Sequence, residues 1–264
     1  MNQNDAGGAR FTNVHVAVTG AGTGIGRAIS LRLAGEGATL SLFARDVERL
    51  QATASLAREA GCPKVEVFGC DIRERAEVDR AFDEAAQALG PFGALVANAG
   101  VGGPNEPGEG DRFDDLVQTN LVGTYSCLRA AQRSLAPTPR RMIVIASILA
   151  RIGVPAYTGY CASKAALLGL VRALSMELAS EEVTVNAICP GWVDTEMATE
   201  GLEGMAAGMG VSLEEARRIA MQDVPLGRMS EPEDIAGLVA YLLSPDARGI
   251  TGQGLDMNGG GAWM

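Results

Sequence analysis

The chain has 264 residues, 47% apolar and 20% charged, which suits one globular α/β domain and excludes a disordered polypeptide. Its net charge of −10, from 22 basic and 32 acidic residues, opposes binding to a nucleic-acid backbone or an anionic membrane. The single histidine, His15, excludes a Ser-His-Asp hydrolase and a multi-histidine zinc site, while five scattered cysteines without a C-x-x-C pair suit a reducing cytoplasm and predict no metal.

Residues 1–12 are polar and glycine-rich, lack the apolar run of a signal peptide, and read as a flexible arm ahead of a single domain over 13–264. Short β-branched or apolar runs predict strands at Val14–Thr19, Thr39–Ala44, Lys64–Cys70, Ala94–Ala97, Arg141–Ser147, Val183–Cys189 and Gly254–Met257. Helical periodicity predicts helices at Gly24–Gly37, Val47–Ala60, Glu74–Leu89, Phe113–Leu135, Tyr157–Glu181 and Pro232–Leu243. Such alternation gives a parallel sheet with crossover helices on both faces. Two stretches interrupt it: the Gly/Pro/acid-rich loop Val101–Asp111, and a long insertion of helical character at Thr195–Asp223.

Directly after the first strand comes Thr19-Gly20-Ala21-Gly22-Thr23-Gly24-Ile25-Gly26, opening the first helix. Glycines there let the backbone approach a pyrophosphate, towards which a helix N-terminus points free N–H groups. The spacing differs from G-x-G-x-x-G, and a tight connection without a ligand is the plainer alternative. At the end of the second strand a carboxylate would bind the adenosine ribose, whereas a cation would accommodate a 2′-phosphate. Here Ala44 is followed by Arg45, which favours NADP(H) over NAD(H); alternatively Arg45 is a solvated charge paired with Asp46.

Tyr160 and Lys164 stand four apart at the start of a helix and so share a face. An ordinary phenol titrates near ~10, and a nearby ammonium favours its ionised form, so the pair could exchange protons without histidine. Ser147, at a strand end thirteen residues earlier, could orient a substrate oxygen, and Asn120 could hold a water that links the lysine to solvent. Taken singly, each has a duller explanation in turns, helix positions or surface charge.

In this order the residues resemble the short-chain dehydrogenase/reductase family from about Val14 to Gly260. The matching motifs are TGAGTGIG (Thr19–Gly26), Asp71, ANAG (Ala97–Gly100), Asn120, Ser147, YCASK (Tyr160–Lys164) and NAICPGWVDTEM (Asn186–Met197). The resemblance implies a Rossmann-like doubly wound sheet of seven parallel strands, order 3-2-1-4-5-6-7, and an NAD(P)-dependent enzyme acting on CH–OH/C=O groups. It implies a catalytic tetrad of Asn120, Ser147, Tyr160 and Lys164. By the same resemblance Gly20, Gly22, Thr23, Gly24, Ile25 and Gly26 hold the pyrophosphate, Asp71 and Ile72 border the adenine, and Asn98, Ala99 and Gly100 line the cofactor. Tyr160, Lys164, Pro190, Gly191, Val193 and Thr195 then meet its nicotinamide end. A homotetramer is implied through the helices carrying Asn120 and Tyr160 and through GQGLDMNGG.

The family's substrate lid corresponds to about 195–223. Here it carries Met197, Met205, Met209, Met221, Leu202 and Leu213, which either face an apolar substrate or pack the lid onto its own protein. With Arg151, Ile152, Val154 and Trp263 as further candidates, a bulky hydrophobic carbonyl or alcohol is expected. CPGWVDTEM and VPLGR are similar to 3-oxoacyl-thioester reductases and polyketide ketoreductases. Arg129 and Arg133 lie on a helix that carrier-protein-dependent relatives use for docking, but Met176 stands where a basic residue would be expected, leaving a CoA thioester or a free ketone as substrate. A cofactor-binding scaffold or sensor without turnover is the alternative.

Overall fold

The seven apolar runs pair side by side in the computed structural model of the chain, which describes residues 9–137 and 140–262. The strands are β1 (His15–Thr19), β2 (Thr39–Ala44), β3 (Val65–Gly69), β4 (Ala94–Ala97), β5 (Arg140–Ile145), β6 (Val183–Pro190) and β7 (Gly254–Met257). All neighbours are parallel, in the order β3-β2-β1-β4-β5-β6-β7 expected from the sequence.

Period-two alternation divides the core. Val16, Val18, Leu40 and Leu42 face Ile29 and Leu33 of α1 (Gly24–Gly35), with α2 (Val47–Glu59) and α9 (Pro232–Leu243) on the same side. Ala17, Phe43 and Leu95 face Val78 and Phe82 of α3 (Arg75–Leu89), together with Leu128 and Leu167. Both sheet faces are therefore dry, as a parallel sheet requires. Connections leave β1 towards β2 and β4 towards β5, so a crevice opens at the carboxyl ends of β1 and β4, where the strand order reverses.

Three expectations are corrected. The expected arm is docked where it is described: Phe11 is only 2% exposed in the core, and its backbone N–H donates to Glu36 at 2.9 Å. Residues 1–8 of the arm, like Trp263, lie outside the described residues. Second, the helix expected over Phe113–Leu135 is three pieces: α4 (Phe113–Val117), a wide π turn (Gln118–Gly123) and α5 (Thr124–Gln132). The extra residue of such a turn rotates one side chain out of the helical period, and Gly123 then passes close to Ile72, where a Cβ would come within 2.8 Å of Cγ1. Third, α6 (Thr158–Glu177) ends before a separate 3₁₀ turn at Ala179–Glu181.

The insertion after β6 folds as α7 (Glu196–Met209) and α8 (Leu213–Gln222). Thr195 caps α7 by accepting from Ala198 N–H at 3.3 Å, and Ser212 caps α8 by accepting from Glu215 N–H at 3.2 Å. Among the described residues no helix is long and apolar enough to cross a membrane.

Candidate active site

The glycine turn sits in the crevice, and its shape is enforced by contact. Gly20 has φ 64°, and a Cβ there would lie 2.8 Å from Ala99 Cα; at Gly26 it would lie 2.1 Å from the Gly20 carbonyl oxygen. Asn98 staples the turn to β4, its amide donating to the Thr19 and Gly20 carbonyls at 3.0 and 3.2 Å. Thr19 Oγ1 accepts from the backbone of Asn98 and Ala99 at 3.1 and 3.0 Å. Beyond the turn lies a cleft of about 320 Å³, walled by Gly20, Gly22 and Thr23, by Ala44 and Arg45, by Asp71 and Ile72, and by Ala99 and Gly100. Bare backbone beside the N-terminus of α1 fits the pyrophosphate of a dinucleotide.

Other expected residues stand apart from this cleft wall. Gly24, Ile25, Gly26 and Asn98 shape the turn from behind. Pro190 and Gly191 lie at the end of β6 against Met257 and Asn258, and Val193 is 5% exposed in the core. Thr195 returns to the turn, its methyl 3.1 Å from where a Cβ on Gly24 would stand.

At Gly100 the cleft wall meets two further expected residues, since a Cβ there would lie 2.9 Å from Asn120 Oδ1 and 3.4 Å from Lys164 Nζ. Asn120 is fully buried on the π turn; its Oδ1 accepts from Val101 N–H at 2.9 Å, and its Nδ2 donates to the Val101 carbonyl at 3.0 Å and to Ser163 Oγ at 3.2 Å. Its side chain thus ties the loop after β4 to the second turn of α6. Ser147 follows β5, is 7% exposed, and accepts from Leu149 N–H at 3.1 Å.

Tyr160 lies in the first turn of α6, and burial raises its phenol above the ordinary range while a hydrogen bond with Ser147 pulls the other way. Lys164 donates to the Ile145 carbonyl at 2.9 Å, and its ammonium stands 5.7 Å from the centre of the Tyr160 ring. Burial lowers Lys164 to about 8. Burial thus moves the phenol in the direction opposite to that expected from the ammonium, and Lys164 donates to a strand carbonyl.

Asn105, which sequence reasoning missed, sets where Tyr160 stands. Buried in the loop after β4, it accepts from Gly159 N–H at 2.8 Å and from Thr158 Oγ1 at 3.2 Å, so it caps α6 from a distance. Gly159 permits that approach, since a Cβ would come within 3.1 Å of Phe113 Cα. An isolated Asn in a loop carries no such signal in sequence.

In the insertion after β6, Met197 meets Gly102, Leu202 is buried, and Met205 and Met221 are half-buried. Met209 and Leu213 are 50% and 42% exposed at the far end of the insertion. Ile152 is exposed and Val154 half-buried in the segment before α6. Arg151 turns away to Asp256 at 3.1 Å and the Gly254 carbonyl at 2.8 Å, which removes it from the expected pocket. Arg129 is engaged by Glu177 at 2.9 Å and Arg133 by Asp79 at 2.9 Å. Among the described residues no group of three or more His, Cys, Asp or Glu could hold a metal ion.

Known proteins resemble this chain in sequence and in fold. The family model described as Enoyl-(Acyl carrier protein) reductase matches residues 20–261. The chain is 33% identical over 259 residues to the 3-oxoacyl-(acyl-carrier-protein) reductase MabA of Mycobacterium tuberculosis, covering 95% of this chain and 93% of that protein. It superposes with a TM-score of 0.89 on an actinorhodin polyketide ketoreductase variant solved with NADPH, at 36% identity over 96% of this chain and all (100%) of that one. Levodione reductase gives the same TM-score, 0.89, at 30% identity over 95% and 98% of the two chains.

Proposed function

We infer that this chain, which belongs to the short-chain dehydrogenase/reductase family, uses NADPH to reduce a bulky, largely apolar ketone of the 3-oxoacyl-thioester or polyketide type. The coarser statement needs no inference: it is an NAD(P)-dependent oxidoreductase that interconverts a ketone and a secondary alcohol.

One observation carries the reading: Gly100 on the cleft wall stands beside Asn120 and Lys164, Lys164 lies 5.7 Å from the centre of the Tyr160 ring, and Tyr160 shares a hydrogen bond with Ser147. When bound, the nicotinamide supplies the hydride. Ser147 and Tyr160 hold the substrate oxygen, and Tyr160 gives it a proton as the carbonyl carbon is reduced. A phenol kept protonated by burial is in the form that a ketone reductase needs, and a buried ammonium under its ring steadies the phenolate left behind. Asn120 contributes position, since both ends of its amide are taken by the loop and by Ser163.

NADPH is favoured over NADH by the end of β2. Asp46 caps α2 by accepting from Arg49 N–H at 3.0 Å and pairs with the Arg49 side chain at 3.4 Å, whereas Arg45 has no ion pair among the described residues. Arg45 is thus the cation left for a 2′-phosphate. Met176, 80% exposed where a carrier-protein-dependent relative is expected to carry a basic residue, favours a substrate that arrives without an acidic carrier protein, as a CoA thioester or free ketone. We assign the chain to homo-oligomers, with a tetramer through α5 and α6 as the expected form.

A panel of 3-oxoacyl thioesters and bulky cyclic ketones, run with NADPH and NADH, tests the reading. Oxidation of NADPH with at least one class is expected. Cofactor binding without turnover across the panel would instead support a scaffold or sensor.

A further inference from the structure

Three guanidinium groups line the cofactor cleft, and they are not equivalent. Arg73 is locked: it holds Asp71 at 2.7 Å and Asp115 at 3.1 Å, its planar fork already matched to carboxylates. Arg45 is without an ion pair among the described residues. Arg49 lies between these states. One helical turn after Arg45 on α2, its stem crosses the glycine turn, where a Cβ on Gly22 would lie 3.1 Å from Arg49 Cβ. Its guanidinium then reaches Glu196, the first residue of α7 and 147 positions later, at 2.8 Å, with Asp46 a more distant partner at 3.4 Å. Arg49 and Glu196 are at least half exposed, 50% and 68%, so water competes for the pair and it exchanges readily.

We propose that Arg49 is a second specificity-determining residue for the phosphorylated cofactor, and that Glu196 is the internal anion it leaves when a 2′-phosphate enters the cleft. This rests on the reading above that NADP(H) is the cofactor. A phosphate monoester carries close to two charges and three acceptor oxygens, so it outcompetes a single exposed carboxylate for a guanidinium. With an unphosphorylated ribose nothing displaces Glu196, and Arg49 stays where it is. Arg45 supplies the standing attraction for the phosphate, and Arg49 adds a contact that only the phosphate can recruit.

Calorimetric titration with 2′,5′-ADP and with 5′-AMP isolates the adenosine end from turnover. Arg49→Gln is expected to weaken 2′,5′-ADP about tenfold and to leave 5′-AMP within about twofold. Glu196→Gln, which removes the nearer of the two carboxylates on Arg49, should tighten 2′,5′-ADP by about two- to threefold and leave 5′-AMP unchanged. The double variant should match Arg49→Gln, because Glu196 acts only through that arginine. Equal weakening of both probes in Arg49→Gln would make the residue a structural strap and overturn the proposal. So would unchanged 2′,5′-ADP affinity in that variant, or a Glu196→Gln protein that binds it no better. An Arg45→Gln control separates the two levels: a wild-type protein with no preference for 2′,5′-ADP overturns the NADP(H) reading itself. A preference lost in Arg45→Gln but undiminished in Arg49→Gln overturns only the role of Arg49.

Discussion

The cofactor side and the substrate side of the cleft are built on opposite plans. Around the phosphate turn the shape is set by backbone against backbone, with Gly26 so close to the Gly20 carbonyl that no side chain fits, and Asn98 bonded to both Thr19 and Gly20. Across the cleft, α7 and α8 touch the body through side chains, and Met197, Met209 and Leu213 stay 46%, 50% and 42% exposed. The first region can serve any chain that binds the same nucleotide. The second uses pliable side chains with few fixed partners, which is where one family can vary its substrates without disturbing its chemistry.

The sharpest way to break that contrast is Gly26→Ala. A methyl at 2.1 Å from a carbonyl oxygen forces the turn apart, so a loss of about 3 kcal/mol or more in unfolding free energy and of measurable NADPH binding is expected, read by denaturant titration and fluorescence. A smaller effect attaches to the lysine between the two regions. Lys164 is held at about 8, below its ordinary 10.5, so between these values the unfolded chain binds the proton and the folded chain does not. Stability tied to this group rises as pH climbs through that window, and below it the buried charge is a penalty. Lys164→Met should therefore gain about 2 kcal/mol over wild type at pH 7, an advantage that shrinks towards pH 10.5, read by melts across pH. Least affected should be the turn between α7 and α8: Met209→Ser and Leu213→Ser should each change stability by under about 0.5 kcal/mol and alter KM more than kcat.

Much of this contrast was legible in the chain, because the cues were local. β-branched runs marked the strands, TGAGTGIG marked the turn, and Tyr160 with Lys164 four residues on marked a shared helix face. What escaped depends on partners far along the chain. Arg151 pairs with Asp256, 105 residues away, so its expected place at the substrate was overruled by an ion pair that no spacing announces. Asn105 caps a helix 53 and 54 residues later. The π turn at Asn120 is hidden for another reason, since one added residue leaves the apolar periodicity of a long helix nearly unchanged. Burial, too, is a property of the fold, and it reversed the expected direction for the Tyr160 phenol.

The central claim is that Tyr160 delivers the proton while other groups hold the nucleotide. Single-turnover oxidation of bound NADPH, compared between wild type and Tyr160→Phe, tests it most directly. The account predicts a rate lower by about 10³-fold with the NADPH dissociation constant within twofold of wild type. Turnover at an undiminished rate in the phenylalanine protein would contradict it.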